Sequence, residues 1–183
     1  MRVAMFVAAL PLALLAGCGE QGTTANSTQA KAGGKATAEA SQPGPLGAPL
    51  SGDEAKEMMH ERHEGMEDIG DGFKALKQAL DAPTPDLATV RKEAAEMAKV
   101  APDVSGWFPP GTGPETGKTH AKEEIWQKPD DFAAKTRDFQ NAAQKLNAAA
   151  QGDDVAAMKA AFSDLGKSCK ACHDPYRRPK KGD

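Results

Sequence analysis

The chain runs to 183 residues, 39% of them hydrophobic and 27% charged, enough for one domain of ordinary size and a tight fit for two. A formal net charge of -3 and a pI near 5.8 do not supply the clustered basic face that phosphate contacts need, which excludes a nucleic-acid binder. With only 5% aromatic residues, the core is packed by Leu, Met and Ala or completed by a bound apolar cofactor.

Residues 1–17 start with one cation, Arg2, and continue as an apolar run too short to span a bilayer, the layout of a removable secretory signal. The run ends at Leu15-Ala16-Gly17-Cys18, which resembles the lipobox of bacterial lipoproteins; the alternative is an ordinary secretory signal with Cys18 downstream by chance. The resemblance implies cleavage before Cys18, lipidation of Cys18 and, because Gly19 is not acidic, an outer rather than inner membrane: a periplasmic domain on a lipid anchor. Residues 18–50 are rich in Gly, Ala, Ser, Thr and Pro, with Leu46 and Leu50 as the only large apolar side chains. Such a stretch buries too little surface to offset its ordering entropy and reads as a flexible tether with a reach of roughly 30 Å.

The folded part is expected over residues 51–183. Ser51-Gly52-Asp53-Glu54 has the spacing of a capping box, and a long helix follows in which Met59, Arg62, Met66, Ile69, Phe73, Leu76 and Leu80 recur in steps of three and four. Only Arg62 interrupts that apolar seam. Thr84 as N-cap and Pro85 at the first helical position open a second helix, with Leu87, Val90, Ala94, Met97 and Ala101 on its seam. Residues 102–129 carry Pro109-Pro110-Gly111, both tryptophans and Phe108; Glu123 to Gln127 can form a short helical turn, and Trp107, Phe108 and Trp126 close one end of the core. A third helix from about Asp130 to Gln151 places Phe132, Phe139 and Leu146 one heptad apart and ends with Gly152 at C′. Asp153 is the expected cap of the fourth, whose seam is Val155, Met158, Phe162, Leu165, Cys169, Cys172 and Tyr176. The pattern predicts an all-α fold, an antiparallel four-helix bundle.

Cys169-Lys170-Ala171-Cys172-His173 is the C-x-x-C-H pattern of covalent c-type haem attachment. Two cysteines three apart share a helix face, so both thiols can add to one porphyrin while the adjacent histidine meets the iron. A zinc site would want a further ligand pair, which His60, His63 and His120 do not form by spacing. A thioredoxin-like pair would want a βαβ setting, and a disulfide across x-x inside a helix would staple nothing distant. One haem c is the expected cofactor.

From these residues the chain resembles the class II cytochromes c, the cytochrome c′ family, over about residues 53–178. The first helix supports this with Arg62-x-x-x-Met66-x-x-x-Gly70-x-x-Phe73, and the long loop with Phe108-Pro109-Pro110-Gly111-Thr112 and Glu124-Ile125-Trp126. The resemblance implies His173 as proximal axial ligand, Arg177 one helical turn beyond it, Met66 and Phe108 beside the distal face, and Arg62 near the haem propionates. With Cys18 lipidated, it leaves no cysteine for a structural disulfide. Pro175 departs from a regular final turn, because it removes a backbone donor and disfavours helical geometry at Asp174.

Function then turns on the sixth iron position. If Met66 only packs over the ring, the iron is five-coordinate and the family implies single-electron transfer with binding of NO or CO. If the thioether ligates, the protein is a six-coordinate, low-spin electron carrier. A haem peroxidase would need a distal acid/base, and the seam offers no histidine for it. Redox donor and acceptor proteins are the expected partners; the family allows a homodimer through the first helix, which the Lys and Glu on its outer face neither require nor exclude.

Overall fold

Steps of three and four in the apolar pattern become four long helices: α1 (Gly52–Asp81), α2 (Leu87–Val100), α4 (Pro129–Ala150) and α5 (Val155–Tyr176), with the one-turn α3 (Glu124–Gln127) before α4. The computed structural model describes residues 46–179; the signal segment, Cys18, Gly19 and the tether up to residue 45 lie outside the described residues. Among the described residues no strand forms; Ala121 and Arg177 pair as an isolated antiparallel bridge.

Direction follows from the polar contacts between helices. Near the start of α2, Arg91 donates from Nε to the Ala150 carbonyl (3.0 Å) and from Nη2 to the Gly152 carbonyl (3.0 Å), at the far end of α4. Farther along α2, the Ala98 carbonyl accepts from Gln144 Nε2 (3.0 Å), so the two helices run antiparallel. Short links join α1 to α2 and α4 to α5, which makes each of those pairs antiparallel and leaves α1 antiparallel to α5.

Helix starts differ from expectation in three places. Ser51 stands at the N-cap of α1 in extended conformation, but its side chain makes no capping bond, so the capping box does not form. The cap of α2 is Asp86, not Thr84: Asp86 Oδ1 accepts from the backbone N–H of Ala88 and Thr89 (3.1 Å each). The cap of α5 is Asp154, not Asp153, because Asp153 is drawn away to Arg91 Nη2 at 2.7 Å. Replacing Asp154 by Ala should therefore destabilise the fold by about 1 kcal/mol. Asp153→Ala, which removes only an exposed ion pair, should change urea unfolding by about 0.5 kcal/mol or less. Pro129, at the first position of α4, starts that helix one residue earlier than expected, and Gly152 follows its C-cap, donating to the Ala149 carbonyl (3.2 Å).

The core holds Leu76, Leu80, Val90, Phe132, Leu146, Met158 and Leu165, all essentially without exposure. The expected single seam of α1 is resolved into two edges. Ala55, Arg62, Ile69 and Leu76, each a heptad apart, are buried, whereas Met59, Met66 and Phe73 are half-buried along the adjoining edge. The first edge turns toward α2 and the long loop: a side chain on Gly72 would meet Glu93 and Met97, and one on Gly65 would meet Trp107. The second turns toward α5. Leu46 is 7% exposed and the Leu50 N–H donates to the Pro110 carbonyl (2.8 Å), so the last residues assigned to the tether belong to the packed domain. Gly111 makes that approach possible: its φ is +89°, and a Cβ there would overlap the Leu50 carbonyl oxygen.

Candidate functional site

The end of α5 carries the reactive side chains. Cys169 and Cys172 lie half-buried against the core and neither is in a disulfide. Burial pushes both thiols up, Cys172 to about 11, so at neutral pH they stand as neutral thiols without the lowered pKa of a reactive redox cysteine. His173 is also half-buried. Burial first, and the Arg177 cation second, hold its imidazole below the ordinary histidine range, which keeps a lone pair available to a metal. The helix runs through Pro175 as far as Tyr176. Arg177 then leaves it with φ −111° and ψ 134°, its N–H still donating to the His173 carbonyl (2.9 Å). The expected helical placement of Arg177 is thus corrected: it is one turn beyond His173 along the chain, but on extended backbone bridged to Ala121.

What faces this end of α5 follows from register. Phe73 of α1 stacks on Phe162 of α5, with centroids 4.5 Å apart and planes at 25°, and a Cβ on Gly166 would stand 3.2 Å from Phe73 Cζ. Seven residues back along α1 is a rise of roughly 10 Å, and seven residues forward along the antiparallel α5 is the same rise. Met66 therefore comes abreast of Cys169, with His173 about one helical turn further along α5. One heptad further, the methyl of Met59 stands 3.4 Å from where a Cβ on Gly117 would be. Two neutral thiols on one face, a neutral imidazole beside them and an apolar facing wall of Met66 and Phe73 make a donor set and a lining suited to a covalently attached macrocycle.

Arg62 is 4% exposed. Its Nη1 donates to the Trp107 carbonyl (3.3 Å) and Thr112 Oγ1 (3.1 Å), its Nη2 to the Thr112 carbonyl (3.0 Å) and Thr119 Oγ1 (3.0 Å). The guanidinium also lies over the Phe108 ring, 4.9 Å from its centroid. Burial lowers its pKa to about 10, against the opposing pull of Glu115. Phe108 in turn meets Phe132 edge-on (4.8 Å), and Phe132 meets Tyr176 edge-on (5.3 Å). The contacts that hold Phe108 therefore come from Arg62 and α4. The Trp126 indole N–H is shared between the carbonyls of Phe108 and Pro109, 3.1 Å each, and Tyr176 donates its hydroxyl to Asp131, tying α5 to α4.

Other positions had no role assigned from sequence. Thr112 and Thr119 serve Arg62 across 50 and 57 residues, a separation that no local pattern signals. Gly65 admits the Trp107 ring: a Cβ there would overlap Cη2 and stand 2.6 Å from Cζ2. Gly65→Ala should lower stability by about 1–2 kcal/mol in thermal unfolding, overpacking outweighing the helix-propensity gain. His60 and His63 stand on the outer face of α1, 69% and 59% exposed, beside Glu64 (3.2 Å) and Glu67 (3.5 Å).

Four antiparallel helices with this thiol and imidazole set on the last of them define a c-type haem protein of the helical-bundle class. Residues 57–177 match the family model described as Cytochrome C′. A cytochrome c′ of Pararhodospirillum photometricum is 34% identical over 116 residues, 63% of this chain and 92% of that one. The crystal structure of cytochrome c′ from Thermochromatium tepidum superposes with a TM-score of 0.64 at 33% identity, covering 72% of this chain and all of that one. A nitric oxide complex of a mutant cytochrome c prime from Alcaligenes xylosoxidans gives 0.62 at 29% identity, over 68% of this chain and 97% of that one. The chain belongs to the cytochrome c′ family and carries that family's one covalently bound c-type haem. Cys169 and Cys172 would hold it through thioethers, and His173 would take the proximal position.

Proposed function

We propose that this protein transfers single electrons and binds NO or CO at a five-coordinate iron whose open side is walled by Met66. Haem supplies the one-electron couple and the affinity for small neutral ligands. The chain supplies the rest: His173, kept neutral by burial, donates one axial nitrogen; Cys169 and Cys172 fix the ring to α5; Met66 and Phe73 exclude water and bulky ligands from the opposite side.

The observation that carries this reading is the chemistry of the α1 edge that faces the haem-bearing stretch of α5. That edge presents apolar side chains, while His60 and His63 are turned outward to Glu64 and Glu67. A neutral diatomic suits such a wall, and peroxide chemistry, which needs a proton donor there, does not. The nitric oxide complex among the related structures supports it. The same register supports a second reading, in which the Met66 thioether ligates and the protein is a low-spin carrier.

Ferric EPR and absorption spectra separate the two: high-spin signals support the five-coordinate centre, and low-spin signals with a methionine-to-iron charge-transfer band support the second. In the first case Met66→Ala should leave haem attachment intact and raise CO and NO affinity on the order of tenfold, as removal of bulk from a tight pocket does. Unchanged affinity would show that Met66 does not stand over the iron.

The proposal extends to location: a periplasmic domain, lipidated at Cys18 and tethered to the outer membrane, exchanging electrons with protein donors and acceptors. The lipobox-like run Leu15-Ala16-Gly17-Cys18 supports this. No helix among the described residues is long and apolar enough to cross a membrane. Fatty-acid labelling of wild type but not of Cys18→Ser would bear it out.

A further inference from the structure

His173 stands in the last turn of α5, where the helix loses one of its own bonds. Pro175 has no N–H to give the Ala171 carbonyl four residues back, yet the helix continues to Tyr176. Bonds from outside the helix hold this turn. Lys122 clamps both sides of the proline: its Nζ donates to the Asp174 carbonyl (3.2 Å) and its backbone N–H to the Tyr176 carbonyl (3.0 Å). The Arg178 N–H donates to the His120 carbonyl (2.7 Å), and between them Ala121 is bridged to Arg177. Arg177 is the residue whose N–H reaches the His173 carbonyl (2.9 Å). The segment 120–122 thereby fixes the donor that closes the turn on the ligand residue itself.

A further support is Tyr176. It is 3% exposed, meets Phe132 edge-on, and donates its hydroxyl to Asp131 of α4. Tyr176 continues the buried line of Met158 and Leu165, because eleven residues bring a helix back to within about 20° of the same face. His173 lies on a different line, one heptad beyond Gly166, where an added Cβ would stand 3.2 Å from Phe73 of α1. The phenol therefore acts from the α4 side and Lys122 acts on the backbone, so the face of the turn that looks to α1 is left to the haem.

Resting on the haem reading above, we infer that Lys122, Tyr176 and Asp131 are positioning residues for the axial histidine. They restore, from the long loop and from α4, the rigidity that Pro175 removes, and they hold the His173 imidazole in one orientation. Groups that orient a metal ligand without touching the metal also tune how strongly it donates, and axial donation is one of the levers on haem potential.

The test uses the haem-loaded protein. Tyr176→Phe keeps the ring against Phe132 and changes no charge, so it removes only the bond to Asp131. Ferric proton NMR reads the orientation of the axial imidazole through the spread of the haem methyl resonances, in either spin state. That spread should shift in Tyr176→Phe, and shift further when Lys122→Met is added. An imidazole held less firmly donates less to ferric iron, so the midpoint potential of Tyr176→Phe should rise. Asp131→Asn, which still offers an oxygen to the phenol, should keep the wild-type methyl pattern, whereas Asp131→Ala should reproduce that of Tyr176→Phe. The control is Val90→Ala, near the start of α2 at the opposite end of the bundle and without exposure; it opens a cavity in the core but should leave both readouts at wild-type values. A Tyr176→Phe protein with the wild-type methyl pattern and midpoint would overturn the inference. So would a Val90→Ala protein whose pattern moves as far, since general loosening would then suffice. Covalent mass is read on the same samples: a wild-type chain without added macrocycle defeats the haem reading, while variants that carry the macrocycle and show no shift defeat only this assignment.

Discussion

A Cys169→Ala/Cys172→Ala chain, matured with the haem-attachment machinery, should show by mass spectrometry the polypeptide mass alone, where the wild-type chain carries one added macrocycle. Both thiols are half-buried on one face of α5 and neither is tied in a disulfide, so each is available for a thioether. Each single variant should retain one bond and a reduced yield of holoprotein. The loss also reaches stability: the thioethers persist in the unfolded chain, but the ring is buried only in the folded state. Without it, Met66 and Phe73 lose the partner on their open side. A penalty of about 3 kcal/mol would lower the thermal midpoint by about 10 °C for a domain of this size. His173→Ala should behave differently: the covalent mass persists, while the native absorption spectrum is lost with the axial nitrogen. A wild-type chain that matures without added mass would remove the basis of the functional reading.

Arg62→Ala should be the most destabilising substitution outside the haem attachment, by about 3–5 kcal/mol in urea unfolding. Four acceptors lose their donor at once: two carbonyls and two hydroxyls, most of them buried. Phe108 also loses the cation over its ring. Arg62→Lys should recover only part of this, because a single ammonium cannot serve acceptors arranged around a planar fork. The sign of the pH dependence follows from the depressed pKa. The native state holds this proton less tightly than the unfolded chain, so from about 10 up to the ordinary arginine range this group's contribution to stability rises with pH. Below about 10 the burial penalty is fully present and does not vary with pH. An Arg62→Ala protein that unfolds at the wild-type urea midpoint would show that the loop from Trp107 to Thr119 is held by other contacts.

Both predictions begin from residues visible in the sequence, but the two were legible to different degrees. The attachment motif spans five consecutive residues and its chemistry is local, so Cys169, Cys172 and His173 could be assigned together. The apolar steps of α1, α2, α4 and α5 are local too, and the helices stand within a residue or two of where those steps put them. Caps were less legible, since Asp153 and Asp154 are equivalent as caps in sequence and only the reach of Arg91 from another helix separates them. Leu46 looked like part of a tether because its neighbours are small and polar; its burial depends on a surface built by distant residues.

By itself, the sequence determined the cofactor chemistry and the helical class, because covalent attachment and helix periodicity are properties of neighbouring residues. Only the tertiary structure decided which edge of α1 confronts the haem-bearing turn and what Arg62 holds. Both are outcomes of packing between segments some fifty to a hundred residues apart: the ring stack of Phe73 on Phe162 sets the register that brings Met66 to Cys169, and acceptors 50 and 57 residues away take up the guanidinium. Long-range contacts of this kind leave no periodic trace in the chain, since each partner satisfies its own local pattern equally well without the other.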